Sequence, residues 1–327
     1  MLHDPITLAY SSPGLDRAAI RLVVTLPTFR RPEHLVRTLE SVGKQTFDRP
    51  FAVVVMDNDA EGKAGVAAAS SWLAGAALKG DVIIAAQRGN CHAYNAGWSI
   101  AIDRFPNAAH IAVIDDDELA AAGWLSALVG TAEKTGADLV GGPQRPVFET
   151  ASDDRWHSHP VFRPPYEATG TVPILYSSGN VLIARRVLEA MPRPYLDPAF
   201  NFIGGGDSDF YRRCRNAGFR FAWSAEAEVE ETTPARRTER SWLRDRGLRN
   251  GAISALLEKR QAPGSAGAMR RLGKSALLLA ASPARGLAMG LRERSATIGM
   301  YRLHVALGRF QAEFGGVNEQ YRNPEAN

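Results

Sequence analysis

Residues 111–118 read Ile-Ala-Val-Ile-Asp-Asp-Asp-Glu, so four apolar or small residues run directly into four carboxylates. The first half suits a buried strand. The second half puts several carboxylates at that strand's C-terminal end, where open α/β sheets place their ligands. Like charges this close repel, so the cluster is costly unless something cationic sits in it. A divalent metal is the simplest cation, and hard oxygen ligands suit Mg²⁺ or Mn²⁺ rather than zinc. Mg²⁺ held by one or two carboxylates usually holds phosphate oxygens as well, which points to a phosphorylated substrate. A solvated acidic turn is the competing reading.

The surrounding pattern supplies the sheet. Residues 22–26, 51–56, 82–86 and 110–114 are short apolar runs of strand type. Between them, residues 32–45, 65–78 and 91–104 read as helices, the first with Leu35, Leu39 and Val42 at helical spacing and Pro32 near its start. This alternation predicts an α/β fold with a mostly parallel sheet and helices on both faces. Further on, helices are expected at 123–135 and 207–217, and strands at 137–141, 180–184 and 219–223. Residues 143–173 are rich in Pro, Asp, His and aromatics without periodicity. That is long for a passive connection, so a functional segment is expected. Its His157 and His159 are candidates for acceptor contact, although loop histidines are more often merely exposed.

The length of 327 residues admits one large α/β domain with an extension, or two domains. The boundaries expected are a loosely held lead-in at 1–19, the sheet domain at 20–235, and a basic, largely helical region at 236–327. The last region carries 17 basic and 7 acidic residues, a net +10, against 22 and 28, a net −6, in the first 235. Such a tail suggests an anionic partner. Helices are expected at 269–281 and 284–314, broken at Pro283. In the second, Leu287, Leu291, Ile298, Tyr301 and Val305 accompany Arg285, Arg292, Arg294, Arg302 and Arg309. A basic amphipathic helix can lie on an anionic membrane, and packing on the protein's own body is the alternative. The basic residues interleave with Leu, Ile and Met more than with stacking aromatics, so no nucleic acid is expected. Cys91 and Cys214 have no metal-ligand spacing and predict no disulfide, which fits a reducing compartment. No secretory signal pattern and no run of ~18 apolar residues is visible. The expected location is cytoplasmic, with peripheral contact at the inner face of the membrane.

Candidate site residues lie at the predicted strand ends. Thr28, Phe29 and Arg30 follow the first strand, where Phe29 can stack on a base and Arg30 can meet phosphate. Asp57 ends the second strand and can accept from a base imide or a ribose hydroxyl, with helix capping as the alternative. In residues 87–97, Arg88 can neutralise phosphate, Gly89 allows close backbone approach, and Asn95 faces back to the strand ends or serves as a structural hydrogen-bonder. Asp115 and Asp117 flank Asp116 and share a face if the strand continues through them. One of the two can hold ribose and the other the metal. Residues 204–213 read GGGDSDFYRR. Asp207 there is the candidate general base, with Asp209 in reserve and helix capping as the competing role.

Taken in order, TLPTFRRPEHLVRTLESVGKQT, VVVMDNDA, AYNAG, AVIDDDE with Trp124-Leu125, SSGNVLIARR, GGGDSDFYRR and RRTERSWLRDRGLRNG resemble the family 2 glycosyltransferases. The similarity is greatest to bacterial enzymes of exopolysaccharide assembly, of the succinoglycan type. It spans about residues 21–251. It implies the nucleotide-sugar-binding GT-A fold, with Thr28, Asp57 and Asp115 on the nucleotide, Asp117 on a divalent metal and Asp207 as base. It also implies transfer with inversion of a hexose from a nucleoside-diphosphate sugar, a UDP-sugar foremost. The receiving hydroxyl would belong to a glycan or lipid-linked oligosaccharide acceptor. Two departures stand out. Gly206 occupies the place of a frequent Glu, and Tyr94 that of a usual Arg. A nucleotidyltransferase would also use acidic metal ligands, but the glycine-rich basic signature for nucleoside triphosphates is missing from the first strand end. A non-catalytic nucleotide-sugar-binding module is the other alternative.

Overall fold

A computed structural model describes residues 6–150 and 154–316. In chain order the elements are β1 (Ile6–Ser11), β2 (Leu22–Thr28), α1 (Pro32–Gly43), β3 (Phe51–Asp57), α2 (Ala64–Gly75), β4 (Gly80–Ala85), α3 (Asn90–Arg104), β5 (His110–Val113), β6 (Glu118–Ala120), α4 (Trp124–Thr135) and β7 (Leu139–Gly141). They continue with β8 (Gln144–Phe148), β9 (Gly170–Val172), β10 (Val181–Ala184), α5 (Arg185–Ala190), α6 (Gly206–Asn216), β11 (Phe221–Trp223), β12 (Val229–Thr233), α7 (Arg240–Gln261), α8 (Ser265–Arg292) and α9 (Ala296–Ala312).

The chain divides into two compact units. The first comprises residues up to 145 with 165–201 and 206–231; the second comprises 146–164, 202–205 and 232 onward. The sequence placed 146–164 in the sheet domain, and the structure gives it to the second unit. In the first unit one sheet runs β1-β4-β3-β2-β5-β10-β7-β11-β9. Strands β4, β3, β2 and β5 are mutually parallel. Every residue of β2 is buried, as both-face coverage by helices requires. Leu35, Leu39 and Val42 of α1 join Leu22, Val24, Val53, Val55 and the α4 residues Trp124, Leu125 and Leu128 in one core. The expected lead-in is partly a strand: β1 pairs antiparallel with β4 at the sheet edge. Its weak alternation, with Leu8 exposed, left no apolar run to read.

The order β4-β3-β2-β5 fixes the site. The chain winds outward through β3 and β4, then α3 carries it back to β5 on the other side of β2. The direction therefore reverses between β2 and β5, and ligands of open α/β sheets bind beyond the carboxyl ends of the strands at that point. Thr28 and the carboxylates after Val113 lie there.

In the second unit α9 packs on both α7 and α8. Helix α7 was not anticipated, since its charges fall all round and leave no apolar stripe. The predicted break at Pro283 is absent: α8 runs through it and ends at Arg292. The Ser282 hydroxyl donates to the Leu279 carbonyl at 2.7 Å, replacing the bond that proline's missing N–H cannot make. The break falls instead at Arg294, whose φ of 50° is left-handed, followed by Ser295 capping α9.

Glycines let these helices touch. A Cβ on Gly308 would stand 1.9 Å from the Leu248 carbonyl oxygen, and one on Gly251 2.0 Å from that of Val305. Gly308→Ala or Gly251→Ala is therefore expected to lower the urea midpoint of the second unit, at a cost of about 1–3 kcal/mol. Gly273→Ala, where a Cβ meets nothing within 4 Å, should leave it unchanged or raise it.

His159 is neither exposed nor available to a ligand. It is fully buried against Trp156, Phe162 and Tyr301, and its Nδ1 accepts the Val161 N–H at 3.2 Å. Burial pushes its pKa down from 6.5 to about 4. The unfolded chain thus binds the proton more readily between these values. Stability is full above about pH 6.5 and falls towards pH 4, by on the order of 3 kcal/mol from this residue. Urea titrations at pH 7 and pH 4.5 should show a smaller difference for His159→Phe than for the parent chain.

Candidate active site

The first unit ties the ends of β2 and β5 together by side chains. The Thr28 hydroxyl donates to Asp116 Oδ2 at 2.8 Å. Arg30 has a left-handed φ of 56°, and after this turn successive arginines diverge. Arg30 pairs with Asp59 at 2.9 Å, while Arg31 reaches Asp117 at 3.0 Å and Asp116 at 3.5 Å. Arg31 is thus a cation inside the acidic cluster, where the sequence suggests a divalent metal as the simplest one.

Strand β5 ends at Val113, and Asp116 and Asp117 lie in a turn. The pleat therefore does not set the direction of Asp115 and Asp117, contrary to the expected alternation. Asp116 faces Thr28 and Arg31. Asp115 accepts a hydrogen bond from the buried Tyr94 hydroxyl, which Ser178 also contacts at 3.4 Å. Burial first, and Asp117 second, raises the pKa of both Asp115 and Asp116. Glu118 is wholly buried behind them. Its Oε2 accepts the Asp115 N–H at 2.9 Å, its Oε1 accepts from Gln144, and burial followed by Asp115 pushes its pKa well up. Glu231 pairs across from Glu118 on β12 and adds to the negative field on Asp115.

Among the described residues no group of three or more His, Cys, Asp or Glu forms a metal cage. Mg²⁺ asks for less, since one or two carboxylates suffice when phosphate oxygens supply further ligands. A Cβ on Gly179 would stand 2.8 Å from Asp115 Oδ2 and 2.6 Å from Glu118 Oε1, so glycine keeps room beside these oxygens. Asp115 and Asp117, hard donors in a cluster that repels itself despite Arg31, fit Mg²⁺ or Mn²⁺.

Phe29, Arg30 and Arg88 come together. The Arg30 and Arg88 guanidinium carbons lie 5.0 and 5.3 Å from the centre of the Phe29 ring. Asp57 is fully buried. Its two oxygens accept the N–H groups of Asp59 and Val66, both at 2.9 Å, so it closes a turn and holds the start of α2. Gly65 permits this, because a Cβ there would meet Asp57 Oδ2 at 2.9 Å. Asn95 has the hydrogen bonds of a structural residue, the second of the two roles its position suggests. Its side-chain amide donates to the Leu196 carbonyl and accepts the Leu196 N–H, each at 2.8 Å, which spends it on the backbone. Gly89 likewise makes room for a protein group: a Cβ there would lie 2.4 Å from the Asn201 side chain.

Asp207 sits in the first turn of α6, partly exposed, with Oδ1 accepting the Ser208 N–H at 2.7 Å. Asp209 is buried and paired with Arg213 at 2.8 Å, so its charge is already engaged. Burial raises the Cys91 pKa to about 12, with Asp207 the next cause. The buried Tyr211 is raised by burial and then by charges that include both Asp207 and Asp115. Tyr211 of the same helix donates to the Ser177 carbonyl at 2.8 Å, and the adjacent Ser178 contacts the Tyr94 hydroxyl that binds Asp115. Sequence reasoning missed Arg31, Gln144 and Ser178 as site residues, and gave Glu118 no separate role within the acidic run. The doubled arginine before Pro32 was the one local signal, and it pointed equally to Arg30.

A model of glycosyl transferase family 2 matches residues 23–190. The succinoglycan biosynthesis protein ExoM of Rhizobium meliloti (strain 1021) is 30% identical over 260 residues, covering 76% of this chain and 79% of that protein. The mannosyltransferase PcManGT from Pyrobaculum calidifontis, in complex with GDP-Man and Mn²⁺, superposes with a TM-score of 0.60 at 18% identity, covering 90% of this chain and 88% of that one. S. aureus TarS 1–349 in complex with UDP gives a TM-score of 0.51 at 15% identity, covering 90% of each chain. These two share the fold.

Proposed function

The chain belongs to glycosyl transferase family 2, and on that premise we propose an inverting, metal-dependent transfer of a hexose from a nucleoside-diphosphate sugar, foremost a UDP-sugar, to a hydroxyl of a lipid-linked glycan. The setting proposed is exopolysaccharide or cell-surface glycan assembly, at the inner face of the membrane. The observation that carries this reading is the carboxylate group Asp115–Asp117 at the switch point, linked to the helix of Asp207 through Tyr211, which donates to the Ser177 carbonyl, and the adjacent Ser178, which contacts the Tyr94 hydroxyl bound to Asp115.

Asp207 takes the proton of the acceptor hydroxyl as its oxygen attacks the anomeric carbon, and the nucleoside diphosphate leaves. No covalent intermediate on the protein is required. Phe29 offers a ring for the base, and Arg30 and Arg88 bring positive charge for the diphosphate. Thr28 and Arg31 hold Asp116 and Asp117 in place. Asp117 with Asp115 would hold a divalent metal, whose chemistry is to neutralise the leaving diphosphate.

The test is nucleotide release from UDP-, GDP- and dTDP-sugars with Mn²⁺ or Mg²⁺, and with EDTA. Metal-dependent release from one donor is expected. No turnover and no metal-dependent nucleotide binding would overturn the proposal in favour of a non-catalytic module.

A further inference from the structure

Helix α8 carries its apolar residues on the outside. Met269, Leu272, Leu277, Leu287 and Leu291 are 75, 41, 70, 66 and 71% exposed. At about 100° per residue they fall within an arc of roughly 140° on the helix. The opposite arc points inward, and its buried residues are Arg271, Ser275, Ser282 and Gly286. Their side chains find partners inside the second unit. Arg271 donates to the Ala262 carbonyl at 2.8 Å and pairs with Glu313 at 3.6 Å, and Ser275 donates to Glu313 at 3.4 Å. Gly286 lies against the backbone of Gly299. A surface helix of a freely soluble domain has the reverse polarity.

The charges identify what covers this face. The 28 residues of α8 include no Asp or Glu, and the exposed Arg270, Arg285 and Arg292 follow one margin of the apolar arc. No described helix is long and apolar enough to cross a membrane. A second copy docked here would bring two acid-free, arginine-edged helices together. Anionic headgroups complement the arginines, and acyl chains accept the leucines.

We propose that the outer face of α8 is a docking surface for an anionic lipid bilayer, on which the helix lies in the plane of the interface. The inference deepens the proposed function, because it names the surface from which a lipid-linked acceptor would be presented, and to that extent rests on that reading.

The test is flotation of the full chain with phosphatidylglycerol vesicles and with phosphatidylcholine vesicles, at low and high salt. The chain should float with the anionic vesicles at low salt, and much less with the neutral ones. Leu277→Glu with Leu287→Glu should weaken this by about tenfold or more, and Arg285→Glu with Arg292→Glu should do so at low salt. Three results would each overturn the proposal. These are no flotation of the parent chain, unchanged flotation of both variants, or a concentration-dependent dimer that the leucine variant abolishes while vesicles bind nothing. Donor hydrolysis in solution, measured on the same preparations, is expected to be equal in all. Its loss throughout would count against the proposed activity and leave the vesicle result to judge the surface alone.

Discussion

Asp207→Asn is expected to lower the rate of sugar transfer by roughly 10²–10⁴, the range a positioned general base contributes. The change removes the basic lone pair and keeps the shape. Asparagine also caps helices as well as aspartate does, so the contact to the Ser208 N–H survives and α6 should stay folded. Donor binding should be nearly unaltered, because Asp207 is assigned to the acceptor side. Steady-state release of nucleotide with acceptor present, set beside the dissociation constant of the free nucleotide, separates the two effects. Wild-type turnover would eliminate Asp207 as the base. Asp209 would then be a poor substitute, since it is buried and paired with Arg213.

Asp117→Asn should act on activity and stability in opposite directions. Asp117 is the largest charge effect on Asp115 and Asp116, raising the pKa of both, and Arg31 partly offsets it. Removing this charge relieves repulsion in a buried cluster, so the melting temperature should hold or rise. Losing a proposed ligand of the ion that neutralises the diphosphate should meanwhile lower turnover by on the order of 10³, equivalent to several kcal/mol of charge stabilisation. Metal-dependent nucleotide binding by calorimetry should weaken in parallel. A variant that is less stable and equally active would make the cluster structural.

Tyr94 shows how a departure from a family pattern can be read physically. A usual arginine would place a cation beside Asp115. The tyrosine instead donates one hydrogen bond from a fully buried ring, braced against Trp98. It fixes the carboxylate without neutralising it, and the cation in the cluster comes from Arg31 on the neighbouring strand end.

Much of this protein was legible in the sequence because its signals are local. Runs such as those in β2 and β3 are continuously apolar because both faces are covered, and they mark a parallel sheet without any knowledge of its order. The end of each run marks a carboxyl edge, which is why Thr28, Phe29, Arg30, Asp115, Asp116 and Asp117 can be assigned to one edge from the sequence. Tertiary structure alone decided what each side chain touches. Asn95 lies next to the right strands, yet its amide is spent on Leu196, 101 positions away. Arg31 and Asp117 are 86 apart and meet only because the sheet order places β2 beside β5. His159, in a segment without periodicity, is buried by aromatics that include Tyr301. The polarity of α8 is of the same kind. Its composition reveals an amphipathic helix, but which face turns outward is fixed by the glycines and serines that let α9 approach. Periodicity records which residues share a face, and only the packing of distant segments decides what that face meets.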